Sequence, residues 1–271
     1  MEKKLKPFLR WAGGKSRFIS HLTKYFPQDF KERLFIEPFL GTGSMFLAVK
    51  PNKAILSDIN GDLINCFICV KENPDLVRKY LVDFVNYHNK KFYYKVRKKF
   101  NYSSLSVKQA ARFIYLNKTS FNGIFRVNKN GEYNVPYGYI RKPVLPLNGE
   151  LKKISGALKA AKIYNLDYSE ILGKAESGNF IYVDPPYPPL NSTSFFNHYS
   201  VDRFDYKKHL ELSKQLNELK KKNCLILISN ADTPEIRNLY KGWKIESIPV
   251  TRWVSCKSKR IKVRELIIKN Y

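Results

Sequence analysis

Acidic residues are scarce in this chain. Of its 271 residues, 23 are Asp or Glu against 49 Lys or Arg, which leaves a formal net charge of +26. An excess of that size points to a polyanionic partner, nucleic acid foremost, bound through phosphate neutralisation and counterion release. A surface charged only for solubility is the plainer alternative. Long apolar runs are missing as well. No stretch of about 18 apolar residues offers a bilayer span, and no strongly amphipathic basic helix stands out. The basic start Met1-Glu2-Lys3-Lys4-Leu5-Lys6 is not followed by an apolar signal core, so secretion is not expected. Four cysteines are too few for a disulfide framework at this length. Cys66 and Cys69 form a lone CxxC inside the apolar run Leu63–Val70, without a second pair or a nearby His, which reads as buried helical thiols rather than zinc ligands. His21, His88, His198 and His209 show no ligand spacing, and no metal is expected. The expected location is a reducing cytoplasm.

What is present is a globular composition: 44% hydrophobic and 14% aromatic residues can build a core. Short apolar runs at Leu34–Ile36, Ala54–Leu56, Lys162–Tyr164, Phe180–Val183 and Leu225–Ile228 read as buried strands. Helical patterns at Ser44–Val49, Tyr168–Gly173, Asp202–Lys221 and Pro234–Tyr240 alternate with them, and Lys244–Val250 and Lys262–Lys269 read as a closing antiparallel pair. That alternation predicts an α/β fold of the doubly wound, Rossmann-like kind. The pattern breaks between about residues 61 and 145. Four consecutive helices are predicted there, at Leu63–Lys71, Pro74–Tyr87, Lys91–Phe100 and Val107–Lys118, then a hairpin over Ile124–Val135 turning at Asn130-Gly131. The expected organisation is a sheet domain made of residues 1–60 and 146–271, interrupted by a basic, mostly helical domain at 61–145.

Two segments carry chemistry. In Phe39-Leu40-Gly41-Thr42-Gly43-Ser44 a strand gives way to a helix through two glycines, which lets a ligand approach the backbone closely. Asp58 follows the next strand, placed to accept from ribose hydroxyls. The third glycine of the dinucleotide pattern is absent; a nucleoside with a methionine tail carries no pyrophosphate and does not need that anion cradle. Asp167 is a further acid at a strand end, either an acceptor for an adenine amine or the cap of the following helix, or both. Gly13-Gly14-Lys15 lacks the spacing of a phosphate loop.

Asp184-Pro185-Pro186-Tyr187 directly follows the strand Phe180–Val183. Its two prolines stiffen the backbone, so the Asp184 side chain and the Pro185 carbonyl are presented as two acceptors. Two acceptors out of the ring plane draw both hydrogens of an aromatic amine and free the nitrogen lone pair to attack an activated methyl. Orientation and charge stabilisation then supply the acceleration. Tyr187 offers a ring face for the base. A base in a duplex must rotate out of the stack to reach such a site.

With these pieces in order, the sequence resembles the DNA adenine methyltransferase (Dam) family, including restriction-system enzymes that modify GATC. The resemblance runs through Phe8-Leu9-Arg10-Trp11-Ala12-Gly13-Gly14-Lys15, Glu37-Pro38-Phe39-Leu40-Gly41-Thr42-Gly43-Ser44, Ser57-Asp58-Ile59-Asn60, Leu116-Asn117, Phe121-Asn122-Gly123, Arg126, Asn134-Val135-Pro136-Tyr137-Gly138 and the Asp184 motif. It implies a site-specific, S-adenosylmethionine-dependent methyltransferase that flips its base and methylates N6 of adenine in double-stranded DNA, with S-adenosylhomocysteine as the second product. It implies cofactor contacts at Trp11, Lys15, Gly41, Gly43, Asp58 and Asp184; Glu37, Phe39 and Asp167 are expected to join them, and catalysis is expected at Asp184, Pro185, Pro186 and Tyr187. DNA contacts are implied at Arg10, Phe121, Asn122, Ile124, Arg126 and Pro136, with Arg126 reading a guanine. The loop Asn191–Tyr199 matches one that closes around the flipped base. Phe121 stands where the family often has Tyr, and Trp253–Arg260 lacks the usual Ser, Asn and Gly. A monomer is expected, and a cognate restriction endonuclease is a candidate partner. Cytosine N4, an RNA or amide amine, and a non-enzymatic DNA-binding module remain the rival readings.

Overall fold

The structure is a computed structural model that describes residues 5–11, 18–188, 204–253 and 260–271. Its order is α1 (Ile19–Leu22), β1 (Leu34–Glu37), α2 (Ser44–Val49), β2 (Lys53–Ser57), α3 (Gly61–Glu72), α4 (Pro74–Asn86), α5 (Lys90–Asn101), α6 (Val107–Thr119), α7 (Glu150–Leu158), β3 (Ala161–Tyr164), α8 (Tyr168–Leu172), β4 (Phe180–Val183), α9 (Tyr206–Lys221), β5 (Leu225–Ala231), α10 (Pro234–Leu239), β6 (Lys244–Trp253) and β7 (Arg260–Lys269). The strands form one seven-stranded sheet in the order β3-β2-β1-β4-β5-β7-β6. β1 to β5 run parallel, and β7 lies antiparallel between β5 and β6. This is the Rossmann-like arrangement expected from the alternation of strands and helices. The chain reverses its direction of winding between β1 and β4, where Phe35 faces Phe180 and Ile36 faces Ile181. Ligands of open α/β sheets bind at such a reversal, beyond the carboxyl ends of the strands.

Strand side chains alternate between two faces. Phe35, Phe180, Tyr182, Leu227 and Ile267 pack into one core, with α2, α3 and the helices beyond it. Ile36, Ile181, Val183, Ile226, Ile228 and Leu266 pack into the other, with α8 and α9. All four residues of β4 are buried, as a central parallel strand requires.

The four consecutive helices predicted between residues 61 and 145 are present as α3 to α6. Asn60, Asn89 and Ser106 cap α3, α5 and α6 by accepting from Leu63 N, Phe92 N and Gln109 N. α6 is buried along most of its length and forms the hub on which α3, α4 and α5 pack. Apolar packing is continuous from the sheet into these helices. The hairpin takes a reduced form. Val127 bridges Tyr133, and Asn128 closes a three-residue loop by donating to Glu132 O at 2.8 Å, with Gly131 left-handed at φ +78°. Asn130-Gly131 therefore marks the turn but occupies a loop one residue longer than the two-residue kind. α7 was not anticipated, although Leu151, Ile154 and Leu158 carry a helical spacing and are buried. Cys66 and Cys69 are buried free thiols on α3. Among the described residues no helix is long and apolar enough to cross a membrane.

Candidate active site

Because β1 to β4 are parallel and adjacent, the segments after them emerge on one edge of the sheet. The acids singled out in the sequence stand there: Glu37 ends β1, Asp58 follows β2, Asp167 follows β3 and Asp184 follows β4. Glu37 and Asp184 continue the alternation of Phe35 and of Tyr182, on the sheet face covered by α2 and α3.

The glycine loop is built from local bonds. Leu40 N donates to Ser57 O at 2.8 Å, and Gly43 N closes back on Leu40 O at 2.8 Å. Gly41 and Gly43 are left-handed, at φ +49° and +64°, a region that costs L-residues energy. A Cβ on Gly43 would stand 3.1 Å from the Phe67 ring, so space as well as conformation demands glycine. Trp11 lies over the loop, its indole 3.5 Å from where a Gly41 Cβ would be, and stacks on Phe125 at 5.4 Å. Asp58 is tied to the loop, accepting from Gly41 N and Asn60 N at 3.0 Å each. Burial raises its pKa against the pull of these N–H groups. A carboxylate has about four acceptor sites, so two such bonds leave capacity for hydroxyl donors. Asn165, which the sequence reading passed over, holds this turn by donating to Asp58 O and Ile59 O at 2.9 and 3.0 Å.

Glu37 is buried, and its Oε2 has no hydrogen-bond partner among the described residues. Burial, then the neighbouring Asp184 carboxyl, push its pKa well above the usual carboxylate range. Phe39 stacks on Tyr168 at 5.2 Å and meets Phe204 edge-on, which makes an aromatic wall beside Asp167. Asp167 is the cap of α8: its Oδ1 accepts from Ser169 N at 2.9 Å, within a full capping box with Glu170. Three carboxyls around an open glycine turn, one of them with an unsatisfied buried oxygen, fit a nucleoside that carries positive charge on its tail.

Asp184 is positioned from behind. Ser229 Oγ on β5 donates to its Oδ1 at 3.0 Å and lies 3.1 Å from the Tyr182 hydroxyl. Pro185 is buried and Pro186 exposed. The Tyr187 hydroxyl donates to Oε2 of Glu265 on β7 at 3.2 Å. Neither Ser229 nor Glu265 was foreseen. Their approach depends on β5 and β7 lying beside β4, which no local pattern encodes.

The implied DNA contacts cluster around one turn. Asn117 on α6 clamps residue 10, accepting from Arg10 N and donating to Arg10 O, both at 2.7 Å, and reaches Gly123 O at 3.3 Å. Phe121 and Asn122 are exposed, and Asn122 is left-handed at φ 56°. Phe121 N donates to Pro136 O at 2.9 Å, which draws Pro136 to the same place. Ile124 is half-buried beside them, and exposed Arg126 donates from Nε to Asn134 Oδ1 at 2.8 Å. Burial and nearby Arg10 lower the Lys118 pKa to about 8. Lys15, the loop Asn191–Tyr199 and residues 254–259 lie outside the described residues.

Comparison with known proteins accords with this geometry. Residues 11–255 match the family described as D12 class N6 adenine-specific DNA methyltransferase. The chain is 37% identical to the type II methyltransferase M.MjaIII of Methanocaldococcus jannaschii, over 98% of this chain and 99% of that protein. It is 34% identical to the type II methyltransferase M1.LlaDCHI of Lactococcus lactis, over 98% and 96%. Against the DNA adenine methylase of Escherichia coli K12 it is also 34% identical, over 98% and 95%. A basic chain whose acids gather at the sheet reversal, and which shares the length of these enzymes, belongs to the D12 class of N6 adenine-specific DNA methyltransferases.

Proposed function

We propose that the chain methylates adenine N6 within GATC in double-stranded DNA, by rotating the base out of the helix and transferring the methyl directly. Membership of the family implies DNA as substrate and S-adenosylmethionine as donor. The observation that carries the reading is the placement of Asp184. It tips the central strand at the sheet reversal, braced by Ser229, beside the Glu37 and Asp58 carboxyls.

Held in that acid-lined turn, S-adenosylmethionine would supply a sulfonium methyl for direct transfer to nitrogen. Glu37 would hold its cationic tail, Asp58 its ribose, and Phe39 with Asp167 its adenine, while Trp11 covers the glycine loop. Asp184 and the Pro185 carbonyl accept the two N6 hydrogens, so the lone pair leaves the ring plane. Oriented acceptors also stabilise the positive charge that gathers on N6 until a proton departs. Tyr187 stacks on the extruded base.

Residues 61–145 form the recognition part. There Arg126 reads a guanine, Phe121 wedges beside the target, and Arg10, Asn122, Ile124 and Pro136 complete the surface. The experiment is methyl transfer from labelled donor to duplexes with and without one GATC, followed by nucleoside analysis. Label in N6-methyladenine that depends on GATC is expected. Label in N4-methylcytosine, or in adenine regardless of context, refutes the proposal.

A further inference from the structure

We infer that Glu265 is a positioning residue for the transfer step, one that holds the Tyr187 ring in place and enriches its face in electrons. The inference rests on the function proposed above and extends it to a residue outside the Asp184 motif. Glu265 lies in mid-sheet on β7, facing Ala231 of β5 on one side and Ile248 of β6 on the other. It is 3% exposed, and burying a carboxyl between strands costs free energy that an apolar residue avoids. Its Oε2 accepts from the Tyr187 hydroxyl at 3.2 Å.

Two effects follow from that bond. Pro185 and Pro186 fix the backbone up to Tyr187, but two side-chain torsions remain; the bond from the phenol to β7 fixes where the ring stands, and the preference of the O–H for the ring plane then orients its face. A phenol that donates to a carboxylate also gains electron density on its oxygen and ring face. During transfer the N6 lone pair forms the bond to the methyl carbon, and the carbon–sulfur pair returns to sulfur. N6 and its ring then carry the positive charge until an N6 proton leaves. An electron-rich face beneath that charge favours the transition state over the neutral base, so the bond acts on rate more than on binding.

The test is single-turnover methyl transfer to a GATC duplex by the wild type, Y187F, E265Q and the double variant, with KM for S-adenosylmethionine and thermal unfolding measured alongside. Each single substitution is expected to slow transfer about tenfold, the worth of one charge-assisted hydrogen bond, with KM for the donor changed less than about twofold. The double variant should be no slower than the slower single one, because both remove the same bond. Single effects that multiply in the double variant overturn the inference. So does Y187F transferring at the wild-type rate, whatever the folding of E265Q. A wild-type chain that transfers no methyl to adenine would instead overturn the function on which the inference rests.

Discussion

His209 gives the fold a measurable sensitivity to acid. It sits in the first turn of α9, 1% exposed, with the Phe204 ring edge-on at 4.7 Å. Neither of its ring nitrogens has a hydrogen-bond partner among the described residues. Burial is the main influence and holds its pKa down from 6.5 to about 4, against the smaller opposing effects of the Pro186 carbonyl and Asp205. The unfolded chain therefore takes up a proton below about 6.5 that the folded chain refuses until about 4. Stability is complete above the unfolded value and drains away as the pH falls between the two. A gap from 6.5 to about 4, at roughly 1.4 kcal/mol per tenfold change in proton affinity, is worth about 3 kcal/mol. The perturbation is H209L, and the assay is urea unfolding at closely spaced pH from 4 to 7.5. The variant has no imidazole to protonate. Relative to the wild type it should gain about 3 kcal/mol as pH falls through that window. Glu37 titrates identically in both proteins and cancels in the difference. Parallel stability curves would refute the reasoning.

Glu37 has the opposite sign. Its folded pKa is raised, so the wild type loses stability as pH rises above the unfolded value of 4.5, and E37Q should gain on it with rising pH in urea unfolding without donor. Asp184→Ala should reduce methyl transfer about a hundredfold or more while part of the DNA or donor binding survives, read by single-turnover kinetics and calorimetry. Arg126→Ala should relax discrimination by about 1–3 kcal/mol, read from competition between duplexes altered one base at a time. Gly43→Ala places a Cβ 3.1 Å from Phe67 in a left-handed backbone and should cost about 1–3 kcal/mol of stability, read by thermal unfolding.

Much of this was legible because it is local. β4 reads as a strand from four apolar residues and is one, and α2 spans Ser44–Val49 in sequence and structure alike. One boundary differs: the helix expected over Asp202–Lys221 begins at Tyr206, where Asp205 caps it by accepting from Lys208 N. What could not be read is long-range. Glu265 looks like an ordinary charged residue in an alternating strand until β7 is inserted beside β5. Asn117 belongs to the resemblance, but its grip on residue 10 appears only once that residue crosses α6. Asp167 shows why a sequence can leave two meanings open: its carboxyl caps α8, and it also follows β3 at the carboxyl edge of the sheet.

The Asn117 clamp has a mechanical consequence. One amide grips the main chain of residue 10 on one side and the carbonyl of Gly123 on the other, while the next residue along, Trp11, roofs the glycine loop. The residue that covers the glycine loop and the turn proposed to read the duplex thus share a single rivet.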